Sequence, residues 1–303
     1  MLLTLLLACA EEAAVETGEA LAPAPYLVEE EAPPAPVLDQ VQLEDALRDA
    51  LEVAASLNAS PVLAGYGMAM TAAEPGCPDY YTTDGNTYWF DQCSTAEGAR
   101  FDGYGFHVVY AAYDGGDGNI YDGEAFYGVA QVTGVDGRTF TAGGSAYSLV
   151  GVNEGTTTWQ SVVQGSFSWD GPEAEGTWLD GELQPDLTMY AVGANANDQG
   201  RAIALDGGIG GFTGDVSAVV FDSLLLYTAA WGSACATEPG GMVSIRDSEG
   251  GWTDVLFDGP SEWGATSDPT QCDGCGAAWY RGEPIGSVCV DMTTLLRWDG
   301  APW

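Results

Sequence analysis

The chain has 303 residues, 45 acidic against 7 basic, and a formal charge of −38. So few cations cannot build a patch that neutralises nucleic-acid phosphates, and the same balance excludes adsorption onto an anionic lipid surface. Apolar residues at 46% and aromatic residues at 11% supply a core and separate the chain from acidic disordered proteins.

From Leu2 to Ala8 the chain is apolar apart from Thr4, and Cys9 follows. The run is too short to cross a bilayer, which takes about 20 residues. Glu11 and Glu12 come too soon after it for a core helix. Leu6-Leu7-Ala8-Cys9 resembles the lipobox of bacterial lipoproteins. The resemblance implies a signal peptide over residues 1–8 and a lipidated Cys9 as the mature N-terminus. Ala10 is not the aspartate associated with inner-membrane retention, which implies an outer-membrane anchor with the body periplasmic or at the surface.

Residues 9–36 read as an acidic tether, with seven glutamates between 10 and 36 and prolines at 23, 25, 33, 34 and 36. Residues 37–60 predict one amphipathic helix. Asp39 and Gln42 are spaced as a capping box. Leu43, Leu47, Ala50, Leu51, Ala54 and Leu57 fall on one stripe, and Asn58 with Pro61 is expected to end the helix. That stripe is expected to pack on the following body as a lid or plug.

Residues 61–234 read as an antiparallel β body. Alternating stretches at 106–113, 125–134, 156–169, 187–194 and 217–227 predict strands, and twelve Asp-Gly pairs punctuate the chain. Asp-Gly supplies the positive φ of tight hairpin turns, and strands joined without a crossover helix must run antiparallel. The fold class expected is mainly β: an antiparallel meander (curled sheet, barrel or sandwich) preceded by one amphipathic helix. Residues 235–303 read as a disulfide-rich region of two further hairpins, expected as a small appendage.

With Cys9 lipidated, six cysteines are left for three disulfides: Cys77, Cys93, Cys235, Cys272, Cys275 and Cys289. Cys77 and Cys93 flank a hairpin-like segment and are expected to pair, with the late four pairing among themselves. The rival reading is a structural zinc site on Cys235, Cys272, Cys275 and Cys289, which offers only one Cys-x-x-Cys knuckle.

Candidate sites are sparse. His107 is the single histidine and stands in a strand pattern without a nucleophile elbow. Asp114, Asp117, Asn119, Asp122 and Glu124 gather oxygen ligands suited to calcium, without the spacing of an EF-hand. Glu173 and Glu175 are the nominal carboxylate pair for glycoside hydrolysis. Trp159, Trp169 and Trp178 are candidates for stacking on sugars.

The whole pattern resembles bacterial surface lipoproteins, which implies display or scaffolding rather than a particular chemistry. The expected role is therefore a non-enzymatic envelope lipoprotein with a structural or binding function. The alternatives are a glycan-binding module assisted by calcium, a carboxylate-dependent envelope hydrolase and, for a barrel with a dry lumen, a lipid carrier. The expected partners are the membrane through the anchor, and a glycan or envelope protein; no cofactor other than calcium is expected.

Overall fold

Helix α1, Gln40–Ser56, starts on the expected capping box: the Asp39 carboxylate accepts the Gln42 N–H, and the Gln42 side chain accepts the Asp39 N–H, each at 2.9 Å. Its buried stripe is Leu43, Leu47, Ala50, Leu51 and Ala54. Pro61 does not close this helix but opens another, α2 (Ser60–Met70). Proline in a first turn has no intrahelical N–H to lose, so it favours a start there. Sequence reading missed α2 because its residues, SPVLAGYGMAM, are apolar on most sides and show no stripe.

The computed structural model describes residues 36–116, 118–179, 188–197, 202–212, 214–227, 238–259, 273–298 and 300, with the backbone alone for 188–197, 202 and 227. Cys9 and the tether up to residue 35 lie outside the described residues, as do Asp117, Cys235 and Cys272.

Leu57, Asn58 and Ala59 form a buried elbow between the helices. Three of its backbone groups are answered from the body. The Trp298 indole N–H donates to Leu57 O at 2.6 Å, the Trp178 indole N–H donates to Asn58 O at 2.7 Å, and Ala59 N–H donates to Ser161 Oγ at 2.7 Å. A buried backbone group left without a partner costs about 1–3 kcal/mol, so these bonds fix where the helix pair sits.

Thirteen strands follow: β1 (Tyr80–Thr83), β2 (Asn86–Ser94), β3 (Arg100–Asp114), β4 (Ile120–Thr133), β5 (Thr139–Asn153), β6 (Thr156–Trp169), β7 (Thr188–Asn197), β8 (Ala202–Gly210), β9 (Val216–Tyr227), β10 (Gly240–Asp247), β11 (Trp252–Asp258), β12 (Cys275–Tyr280) and β13 (Glu283–Cys289). Each pairs antiparallel with the next in sequence, which is the expected meander. No ladder among the described residues joins β1 to β13, so the sheet is open rather than a closed barrel. β10 pairs with β9 from Val216 to Leu225, so the C-terminal hairpins continue the sheet and are not an appendage. A 3-10 helix, Met292–Arg297, follows β13 and packs on α1.

The sheet curls. Thirteen flat strands would span roughly 58 Å at about 4.8 Å per strand. Yet α1 touches β9, β10 and β13, α2 touches β4, β5 and β6, and the buried side chains of helices and strands merge into one cluster. A row of glycines crosses β3 to β6 where the backbones come close: Gly105 opposes Gly128, Gly128 opposes Gly144, and Gly144 opposes Gly165. A Cβ at Gly144 would stand 1.9 Å from Gln164 O, and one at Gly128 would stand 2.4 Å from Tyr104 O. Only glycine admits so close an approach of neighbouring backbones.

Asp-Gly therefore serves two purposes in this chain. Asp84-Gly85 and Asp136-Gly137 occupy turns as expected, but Asp102-Gly103, Asp122-Gly123 and Asp206-Gly207 lie inside β3, β4 and β8. Cys77 and Cys93 are disulfide-bonded with Cα atoms 5.7 Å apart, the pairing expected. Cys275 and Cys289 face each other across β12 and β13 and form a second bridge. Both are thereby lost as thiolates, which removes the zinc reading.

Candidate functional site: an aromatic outer face

Side chains alternate between the two faces of each strand, and the helices define the inner one. Trp89 points inward, its indole N–H donating to the Tyr66 hydroxyl of α2 at 3.0 Å. Phe101, Phe126 and Phe140 lie on that same side and are buried. Burial pushes the Tyr66 phenol up to about 12 despite the Trp89 bond, so it stays neutral.

The opposite parity places a second set of rings on the outside. Tyr81 opposes Tyr88, Tyr88 opposes Phe106, Phe90 opposes Tyr104, and Phe106 opposes Tyr127. Ring centroids are 5.0 Å apart for Tyr81 and Tyr88, 5.3 Å for Tyr88 and Phe106, and 5.7 Å for Tyr104 and Phe106. Tyr110 continues the face, with Tyr113 at 5.5 Å and a hydroxyl contact to Tyr127. Tyr147 on β5 adjoins Tyr110. Burial and then the bond to Tyr127 hold the Tyr110 phenol far above its ordinary range.

These rings are open to solvent where it counts: Phe90 is 81% exposed, Tyr81 63%, and Val129 beside them 55%. The face is bounded by Asp102, which accepts from Gln92 Nε2 at 3.3 Å, and by β6, whose outer positions beside Val162 turn to Thr158, Gln160, Gln164 and Ser166. It is a broad apolar surface carrying phenol donors. Contiguous exposed apolar area of this kind makes it the candidate interaction site.

The residues singled out from sequence fare differently. Trp169 and Trp178 are buried, and Trp159 is half-buried and packs on the core, so the stacking face expected there is not built. A tryptophan buries more area than any other side chain, and its N–H can be answered inside, as Asn58 O answers Trp178 and Glu173 Oε2 answers Trp169 at 2.8 Å. Glu173 is thus occupied by an indole, while Glu175 lies exposed on the turn following it. His107 is half-buried against Tyr66 at 5.8 Å and bonds Glu124 across strands at 3.0 Å. Asp114 accepts the Gly116 N–H and Asp122 accepts the Ala112 N–H, both at 2.9 Å. Among the described residues no three acidic, histidine or cysteine side chains are grouped to hold a metal ion.

The signal that could have found the outer face was in the sequence. TYWF at 87–90 sets Tyr88 and Phe90 on the opposite face from buried Trp89, and YGF at 104–106 sets Tyr104 and Phe106 outward around buried Gly105. The stacking residues named from sequence were tryptophans, and the tyrosines and phenylalanines of this face were not among them. A cavity of about 380 Å³ opens at the end of α2, among Met68, Thr71, Glu74, Glu97, Asp136 and Arg138. There Glu74 accepts the Ala96 N–H at 2.7 Å and Asp136 pairs with Arg138 at 3.6 Å.

Compared with known proteins, the chain matches no family model, no curated protein and no solved structure.

Proposed function

We propose that this is a non-enzymatic binding protein of the cell envelope that holds glycan against the outer face of β1–β5. In this reading a lipidated Cys9 anchors it in the outer membrane, and residues 9–36 set the body off from the lipid. The observation that carries the binding role is the outer-face ladder in which Tyr81, Phe90, Phe106 and Tyr127 are exposed around the half-buried Tyr88. Ring faces stack on the C–H faces of sugars, and phenols bond their hydroxyls. From β1 to β5 the face spans about four strand spacings, roughly 19 Å, which accommodates several sugar units. A formal charge of −38 repels anionic polymers and further copies of the chain, and favours a neutral polysaccharide.

The test uses the Cys9→Ser chain on a glycan array, with calcium and with EDTA. Phe90→Ala, at an 81% exposed ring, is expected to weaken binding at least tenfold, about 1.4 kcal/mol, while leaving the unfolding temperature unchanged. Loss of binding with EDTA would add calcium. An array without binders would overturn the glycan reading and leave a structural envelope lipoprotein.

A further inference from the structure

Glu238 stands just before β10 and is fully buried. Its Oε2 accepts the Gly274 N–H at 2.7 Å, while its Oε1 meets no donor. The groups acting on it are Asp258, at the end of β11, and Asp273, in the turn before β12; among the described residues no cation faces it. Two adjoining carboxylates are both acceptors, so the doubly ionised pair leaves Oε1 unanswered and places like charges together. One proton changes this. It makes Oε1 a donor to Asp258, while Oε2 keeps its bond from Gly274.

We propose that Glu238 keeps its proton through the mildly acidic range and donates it to Asp258, as a proton-dependent clasp tying the start of β10 to the end of β11 and to the turn that enters the Cys275–Cys289 hairpin. Burial, followed by the bond to Asp258, pushes the Glu238 carboxyl up to about 7. A carboxyl raised in the folded state binds its proton more tightly there than in the unfolded chain. Its stabilisation is full below the unfolded value of 4.5, declines as pH rises towards about 7, and is gone above it. The clasp therefore closes on acidification and loosens in mild alkali.

Glu238→Gln mimics the protonated state, since its amide can donate to Asp258 and accept from Gly274. The experiment follows the carboxyl carbon of Glu238 by NMR in the full chain, assigned by its loss in Glu238→Gln, with thermal unfolding of both proteins from pH 5.5 to 8.5. The expected result is a midpoint near 7, and an unfolding temperature that falls by several degrees more in the native chain than in Glu238→Gln. Asp258→Asn should bring the midpoint down towards the ordinary carboxyl range. A midpoint below 5, parallel unfolding curves, or no response to Asp258→Asn would overturn the proposal. So would a rise in unfolding temperature on adding millimolar calcium at pH 8.5 in the native chain alone, which would make the pair a cation site.

Discussion

Gly144→Ala adds one methyl group at the centre of the sheet. Its Cβ would lie 1.9 Å from Gln164 O, 2.9 Å from the carbonyl carbon and 3.0 Å from Gly165 Cα, all backbone atoms that no rotamer change can move. Ordinary contact begins near 3.4 Å, so β6 must retreat from β5 by about 1.5 Å. A retreat of that size breaks the ladder bonds around the Gly144–Gly165 pair, at about 1 kcal/mol each. It also separates Ala146 from Val163, opposed and fully buried two positions away. Strain of this kind in a packed interior costs a further 1–3 kcal/mol or so. Together the loss is about 3–4 kcal/mol, a drop of roughly 6–8 °C in unfolding temperature for a chain of this size. Gly143→Ala is the control, one residue away on the outer face. There a Cβ meets only Ser166 O at 4.0 Å, and stability should change by no more than about 0.5 kcal/mol. Urea unfolding of the two variants decides the matter. If Gly144→Ala falls within 1 kcal/mol or so of Gly143→Ala, the glycine row is not what lets these strands approach.

The elbow between the helices gives a second test. Trp298→Phe keeps most of the ring but removes the N–H that answers Leu57 O, and should cost about 1–3 kcal/mol by urea unfolding. A Trp298→Phe chain as stable as the parent would mean that water reaches the Leu57 carbonyl. Opening the Cys77–Cys93 bridge by Cys77→Ser with Cys93→Ser releases a loop closed across 16 residues, and should lower stability by about 3 kcal/mol. The change would appear as an earlier urea midpoint in the oxidised protein and no difference once both chains are reduced.

Local order was legible where one residue's chemistry suffices. The Asp39–Gln42 cap, the Leu43–Leu47–Leu51 stripe, the alternation of β3 to β6 and the Cys77–Cys93 pair all follow from neighbours in sequence, because capping, amphipathic period and short-loop closure are local. The antiparallel order followed as well, since strands joined by short turns have no other way to pair. α2 was hidden because a helix buried on most sides carries no period to read.

Which face a ring occupies was not a local property. Trp178 and Trp298 are interior because the elbow carbonyls of Asn58 and Leu57, about 120 and 241 residues away in sequence, take their N–H groups. Tyr88 and Phe90 are exterior because Trp89 between them found Tyr66 on α2. Likewise Asp102-Gly103 reads as a turn in isolation, and becomes the inside of a strand only when Val129 O, on the neighbouring strand, arrives within 2.0 Å of where a Cβ would be. The sequence by itself determined the class, the pairing order and the start of the first helix. Tertiary structure decided the inside from the outside, because burial depends on which distant backbone groups remain to be answered.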